Sequence, residues 1–275
     1  MNISGKIALV LGGSRGIGLA IATSLAARGA RLVLPWFDWP EASAAMCRTF
    51  SGDDNRHCTI QADLRRSEDI LRLVEQIETR FGRLDILVNN IERGGMPIIH
   101  GSYHRSINRQ QWQLEMETTL HAKWQVFEQC LPLLKKSREG AVVNLSSIAA
   151  LTGRSGPAGL LFNDGYAAAN RGIQSLTQTW ARLCAPDIRV NEIMLGLFET
   201  RHGPGTRGWG ELAASQQEEL IAHTLLGRTG RAEEVVATLL FLLEGATFMT
   251  GSTIRLDGGY LLGGEEVPEM PAGVI

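Results

Sequence analysis

Short, continuously apolar runs at 7–11, 31–34, 58–60, 85–88, 141–145, 188–193 and 253–256 alternate with helical patterns at 17–28, 41–50, 68–80, 109–136, 166–184 and 232–243. No other feature constrains the fold as strongly. Runs without polar interruption suit strands covered on both faces, as in a parallel sheet; a sheet with one wet face would alternate apolar and polar residues. Strand–helix–strand units close with one handedness and build a single open sheet. The expectation is an α/β, doubly wound parallel sheet of the Rossmann type. It forms one domain over residues 1–275, with a tail at 261–275. Two segments break the rhythm. Residues 92–108 are polar and rich in turn formers, and 199–210 are glycine-rich and lead into a short helical pattern at 211–223. Both follow strands, and loops at the carboxyl ends of such strands border the ligand crevice.

The first apolar run ends in Gly12-Gly13-Ser14-Arg15-Gly16-Ile17-Gly18, and a helical pattern follows directly. Glycines there permit a tight turn and close approach of backbone to a pyrophosphate. The helix N-terminus adds unpaired N–H groups and a favourable dipole. A glycine cluster alone would serve equally as a plain turn. Its place between the first strand and first helix makes a dinucleotide the expected ligand.

Composition removes several classes of function. The chain has 275 residues, 44% hydrophobic and 20% charged, with a formal net charge of −2. That balance offers no basic footprint for nucleic acid. Its apolar runs fall short of the roughly 18 residues of a membrane span. Cys47, Cys58, Cys130 and Cys184 are scattered without a C-x-x-C pair, as reduced thiols of a cytoplasmic protein would be. His202 stands in a glycine-rich loop without metal-ligand spacing, so no metal is expected.

The G-x-x-x-G-x-G spacing resembles that of the short-chain dehydrogenases/reductases, especially their 3-oxoacyl-carrier-protein reductase-like branch. The likeness extends to Gly259. Asp63-Leu64 resembles the family's adenine-contacting pair, and Asn89-Asn90 the start of its N-N-A-G. Ser147 matches the catalytic serine and Tyr166 opens the Y-x-x-x-K helix. Leu195-Gly196-Leu197-Phe198-Glu199-Thr200 resembles P-G-x-x-x-T, with Leu197 and Thr200 toward the cofactor. The resemblance implies hydride transfer between a nicotinamide and a ketone or alcohol, or an acyl thioester, with Tyr166 as proton donor. It also implies a homodimer or homotetramer joined through the two long helices, for which Trp112, Trp124, Phe127 and Trp180 are candidate anchors.

The chain departs from the family at several of these positions. Tyr166-Ala167-Ala168-Ala169-Asn170 puts Asn170 where the family has lysine, and counting from Trp112 puts Thr119 where it has asparagine. Glu92 replaces the glycine of N-N-A-G, and Leu11 and Leu195 replace threonine and proline. The lysine lowers the tyrosine pKa from near 10, so without it Tyr166 stays protonated and favours reduction over alcohol oxidation. Trp36 stands at the position of the acid that selects NAD, while Arg15 suits a 2′-phosphate, so NADP(H) is favoured over NAD(H). An extra stretch around 154–159 precedes Tyr166, and Met96, Tyr103, His104, Phe162, Phe198, His202 and Trp209 are substrate-side candidates. Two other readings stay open. One is a dinucleotide-binding scaffold with impaired redox catalysis, serving as a regulatory or structural subunit. The other is a non-redox lyase or isomerase.

Overall fold

The computed structural model describes residues 1–52, 56–92, 106–200, 208–265 and 267–273. Met96, Tyr103, His104 and His202, with most of 92–108 and 199–210, lie outside the described residues. In chain order the elements are β1 (Ile7–Val10), α1 (Gly16–Ala27), β2 (Arg31–Trp36), α2 (Pro40–Phe50), β3 (Cys58–Gln61), α3 (Ser67–Phe81) and β4 (Ile86–Asn89). After these come α4 (Ser106–Glu115), α5 (Ala122–Leu134), β5 (Gly140–Ser147), the single turn α6 (Ala149–Thr152), α7 (Asp164–Cys184) and β6 (Ile188–Leu195). The last are α8 (Ala214–His223), α9 (Ala232–Leu240) and β7 (Thr253–Leu256).

The strands form one sheet in the order β3-β2-β1-β4-β5-β6-β7, and every pairing is parallel. Successive residues of β1 point to opposite faces. Ile7 and Leu9 join Ile70, Leu73, Phe127 and Trp180 beneath α3, α5 and α7. Ala8 and Val10 join Ile21, Met46, Phe50 and Val235 beneath α1, α2 and α9. Covering both faces accounts for the unbroken apolar runs. The chain builds outward from β1 to β3, then returns to lay β4 on the other side of β1. The switch point therefore lies between β1 and β4, where doubly wound sheets bind ligands at the carboxyl ends.

The amino ends of these strands are tied by Asp85. Its carboxylate accepts hydrogen bonds from the Ile7 amide at 2.9 Å and the Ser137 hydroxyl at 2.6 Å, and pairs with Arg83 at 3.1 Å. The expected helix 109–136 is interrupted: α4 and α5 are joined through a π-helical turn, Met116–His121. Of the four candidate anchors on the long helices, Phe127 and Trp180 stack on each other inside the core at a centroid distance of 4.0 Å, while Trp112 and Trp124 are exposed. The extra stretch near 154 forms a short 3-10 turn, Pro157–Leu160, whose Ala158 amide donates to the Tyr260 hydroxyl at 2.8 Å.

Candidate active site

A cleft runs across the carboxyl ends of the strands, and Gly12, Ser14, Arg15, Gly16, Ile17 and Gly18 line it. A Cβ on Gly12 would lie 2.2 Å from the Asn90 carbonyl oxygen, and one on Gly18 would lie 2.0 Å from the Gly12 carbonyl oxygen. These two glycines close the loop on itself. Asn90 braces it by donating from Nδ2 to the Gly12 carbonyl at 3.4 Å. Gly16 differs: its φ is +51° and nothing lies within 4 Å of where its Cβ would stand. Here α1 begins, with no acidic residue in its first turn and no side chain capping it. Free N–H groups at a helix start, facing open space without a competing carboxylate, fit the diphosphate of a dinucleotide.

One end of the cleft is walled by Trp36, Phe37, Asp38, Trp39, Asp63, Leu64 and Arg65. The Arg15 guanidinium lies 4.1 Å from the centre of the Trp39 ring, and that of Arg65 lies 5.4 Å from Phe37. Arg65 also grips both carboxylate oxygens of Asp63, at 2.8 and 2.6 Å. Burial would raise the Asp63 pKa, but these hydrogen bonds outweigh it and hold the carboxyl below its usual range. Arginine on aromatic faces makes this end flat, and the carboxylates of Asp38 and Asp63 share it with the two guanidinium groups.

The other end holds Glu92, Ser147, Phe162, Tyr166, Leu197, Phe198, Thr200 and Trp209. Asn163 caps α7 by accepting from the Tyr166 amide at 2.7 Å, which sets the tyrosine in the first turn. The Tyr166 hydroxyl donates to Glu92 Oε2 at 2.9 Å. Burial, the Glu92 charge and the hydrogen bond to Glu92 push its pKa well above the ordinary tyrosine value, and a hydrogen bond with Ser147 offsets this only in part. Tyr166 is thus a protonated donor at neutral pH. Phe162 stacks against its ring at 5.7 Å.

Three residues singled out in the sequence stand behind this wall. Asn170 is fully buried, donates from Nδ2 to the Tyr166 backbone carbonyl at 3.0 Å, and leaves Oδ1 without a partner. Its short side chain turns back onto its own helix. Thr119 lies in the π turn and donates to Glu115 Oε1 at 3.3 Å, while the neighbouring Thr118 lines the cleft. Asn89 donates to Asn144 Oδ1 at 2.7 Å, and Asn144 donates to Thr177 at 2.8 Å, which joins β4, β5 and α7 through buried side chains. Arg171 is exposed and bonds Gln174 at 2.8 Å.

Sequence reasoning passed over two buried charges near the cleft. Lys123 on α5 is 0% exposed and donates from Nζ to the Leu145 carbonyl at 2.8 Å, directly behind the strand that ends in Ser147. Glu192 on β6 accepts from Ser146 and, at 2.6 Å, from Thr253. Burial lowers the Lys123 pKa against the pull of Glu92, Glu192 and Glu115, and burial raises that of Glu192. The signal was present. Lys123 stands four residues after Thr119, on one helical face, in a stretch otherwise filled by Ala122, Val126 and Phe127. Among the described residues no group of three His, Cys, Asp or Glu could hold a metal ion, and no helix is long and apolar enough to cross a membrane.

Comparison with known proteins agrees with this geometry. The family model described as enoyl-(acyl carrier protein) reductase matches residues 12–261. The 3-oxoacyl-(acyl-carrier-protein) reductase FabG of Escherichia coli K12 is 31% identical over 261 residues, 94% of this chain and 98% of that protein. A short-chain dehydrogenase/reductase structure from Brucella melitensis superposes with a TM-score of 0.78 at 29% identity, covering 94% of this chain and 98% of that one. An NADPH-dependent 3-quinuclidinone reductase from Rhodotorula rubra superposes with a TM-score of 0.77 at 25% identity, covering 95% and 93%. With a matching family model over nearly the whole chain and a diphosphate cradle at the sheet's switch point, the chain belongs to the short-chain dehydrogenase/reductase family of NAD(P)-dependent oxidoreductases.

Proposed function

We propose that this protein reduces a ketone or 3-oxoacyl thioester to the alcohol, preferring NADPH. The observation that carries the reading is Tyr166, a buried and protonated hydroxyl next to Ser147, in the same cleft that begins at the glycine loop. When bound, the reduced nicotinamide supplies a hydride to the carbonyl carbon. Ser147 donates a hydrogen bond to the carbonyl oxygen, and Tyr166 delivers the proton as that oxygen becomes an alkoxide. An alkoxide is a far stronger base than phenolate, so a raised tyrosine pKa does not impede this direction. Phe162, Phe198 and Trp209 give the substrate an apolar seat.

NADPH is favoured because Arg15 and Arg65 both line the cleft at the end of β2, where Trp36 stands at the position of the NAD-selecting acid; Asp38, two residues on, weighs against a 2′-phosphate. The relatives support a 3-oxoacyl substrate, and the Rhodotorula neighbour, NADPH-dependent by its name, supports the cofactor. Asn89, Asn90, Asp63, Leu64, Leu197 and Thr200 complete the proposed cofactor site; Asn170 and Thr119 support it from behind. We assign the protein to the cytoplasm, in keeping with its free cysteines, as a homodimer or homotetramer joined across the faces that expose Trp112 and Trp124.

One observation favours the impaired scaffold instead: Asn170 brings no ammonium to Tyr166. Calorimetric titration with NADPH and NADH, followed by NADPH oxidation against acetoacetyl thioesters and simple ketones, decides between them. The expected result is tighter NADPH binding and turnover that falls about 10²- to 10⁴-fold in Tyr166→Phe, the usual worth of a positioned acid. Binding without turnover, or activity indifferent to Tyr166→Phe, would sink the reductase reading.

A further inference from the structure

The site lacks the lysine at position 170, but Tyr166 has a charged partner in Glu92. We infer that Glu92 is the proton acceptor behind Tyr166. This rests on the reductase reading of the same site. Glu92 occupies a family glycine position and is in hydrogen-bond contact with the tyrosine hydroxyl, at 2.9 Å. Lys123 lies on α5, packed on the same face of the sheet as α7, and is anchored to the Leu145 carbonyl two residues before Ser147. The Lys123 ammonium feels the negative charge of Glu92, as it does those of Glu192 and Glu115. Asn170 takes no part in this, because its Nδ2 is spent on the Tyr166 backbone.

The arrangement replaces a free tyrosinate with a two-step relay. In alcohol oxidation the carbinol carbon gives its hydride to the oxidised nicotinamide and the C–O bond becomes a carbonyl. The alcohol proton passes to Tyr166 Oη as the proton already on Oη passes to Glu92 Oε2. The products are the ketone, the reduced dinucleotide and a protonated Glu92, which then loses its proton to water. Ketone reduction runs the same transfers backwards. At no point must Tyr166 ionise alone, so its raised pKa is no obstacle.

Among the described residues, the charged groups around the pair are Lys123 from α5, Glu115 from α4 and Glu192 from β6; Arg171 from α7 acts on Glu192. Glu92 has two conceivable effects of opposite sign. As an acceptor its loss slows oxidation; as a mere anion that suppresses tyrosinate, its loss speeds oxidation.

The test uses full-length Glu92→Gln, Lys123→Met and Tyr166→Phe, with ethyl acetoacetate and NADPH in one direction and ethyl 3-hydroxybutyrate and NADP⁺ in the other. Glu92→Gln is expected to lower kcat for oxidation about a hundredfold, to leave NADPH affinity unchanged, and to abolish the acid limb of the pH profile. Lys123→Met is expected to keep that limb and move it to higher pH, because a carboxylate that loses its cation protonates more readily. A second readout needs neither substrate nor cofactor. The chain has only Tyr103, Tyr166 and Tyr260, so subtracting the tyrosinate titration of Tyr166→Phe isolates Tyr166, whose midpoint should fall in Glu92→Gln. Oxidation by Glu92→Gln at or above the parental rate, or an unmoved Tyr166 titration, overturns the relay alone. A parent that turns over neither ester overturns the reductase reading beneath it.

Discussion

A Cβ on Gly18 would collide with the backbone of Gly12, whereas one on Gly16 would enter open cleft. The sequence pattern treats both glycines as ligand-facing; space separates them. Gly16→Val should weaken dinucleotide binding while the protein stays folded, at a cost of about 1–2 kcal/mol for a side chain at positive φ. Gly18→Val should instead lower the unfolding midpoint severely, since a 2.0 Å approach to a carbonyl oxygen cannot be relieved by a rotamer. Calorimetry and thermal melts of the two variants measure the difference. Equal melts, with binding lost in both, would return Gly18 to the ligand. The same limit hid Glu92. A change from glycine to glutamate is legible in one dimension, but its partnership with a tyrosine 74 positions away is not.

At the level of elements, the strand runs read from the sequence are recovered within one residue, except that β2, β5 and β6 run on by two, to Trp36, Ser147 and Leu195. Burial on both faces gives the central strands β1, β4 and β5 an uninterrupted signature, while the edge strands β3 and β7 are only partly covered. The break between α4 and α5 was not visible, because a π turn uses the same residues as an α-helix and differs only in hydrogen-bond partner. Position along a strand also sorts what a residue does. Asp85, 2% exposed, ties β1, β4 and the end of α5 at the amino ends, far from the cleft at the carboxyl ends. Asp85→Ala leaves the Ile7 amide and Ser137 hydroxyl buried without an acceptor. Urea unfolding should show a loss of about 2–6 kcal/mol, with each of the two orphaned groups costing about 1–3, and KM for NADPH should not change. A raised KM without lost stability would contradict this division of the sheet.

For the whole molecule, burial governs thiol chemistry. Cys130 is pushed up to about 12 and Cys184 to about 11, both chiefly by burial. Cys58 is buried as well, and Cys47 is half-exposed on α2. Thiolate is the reactive form, so a disulfide reagent at mildly alkaline pH should label one cysteine of the native protein quickly, and that one should be Cys47. The other three should react at the rate of unfolding and rise together with denaturant. Rapid labelling of Cys130 would mean that the core beneath α5 opens on its own, without global unfolding.

The π turn at Met116–His121 has a consequence for how this chain can change length. A wide turn takes up one residue more than an α turn, so the extra residue is held without the rotation of about 100° that a plain insertion would impose on the flanking helix. Upstream, Trp112 packs against Gly165; downstream, Phe127 is locked to Trp180 and Lys123 to Leu145. Both ends are clamped, and the turn is the gear tooth between them. Deleting a single residue there would let the helix anneal into one smooth α rod, with Trp112 still against Gly165 and the downstream half still in place. The joint therefore stores one residue of slack: the helix can shorten by one at this turn without moving either clamp, which an uninterrupted α-helix cannot do.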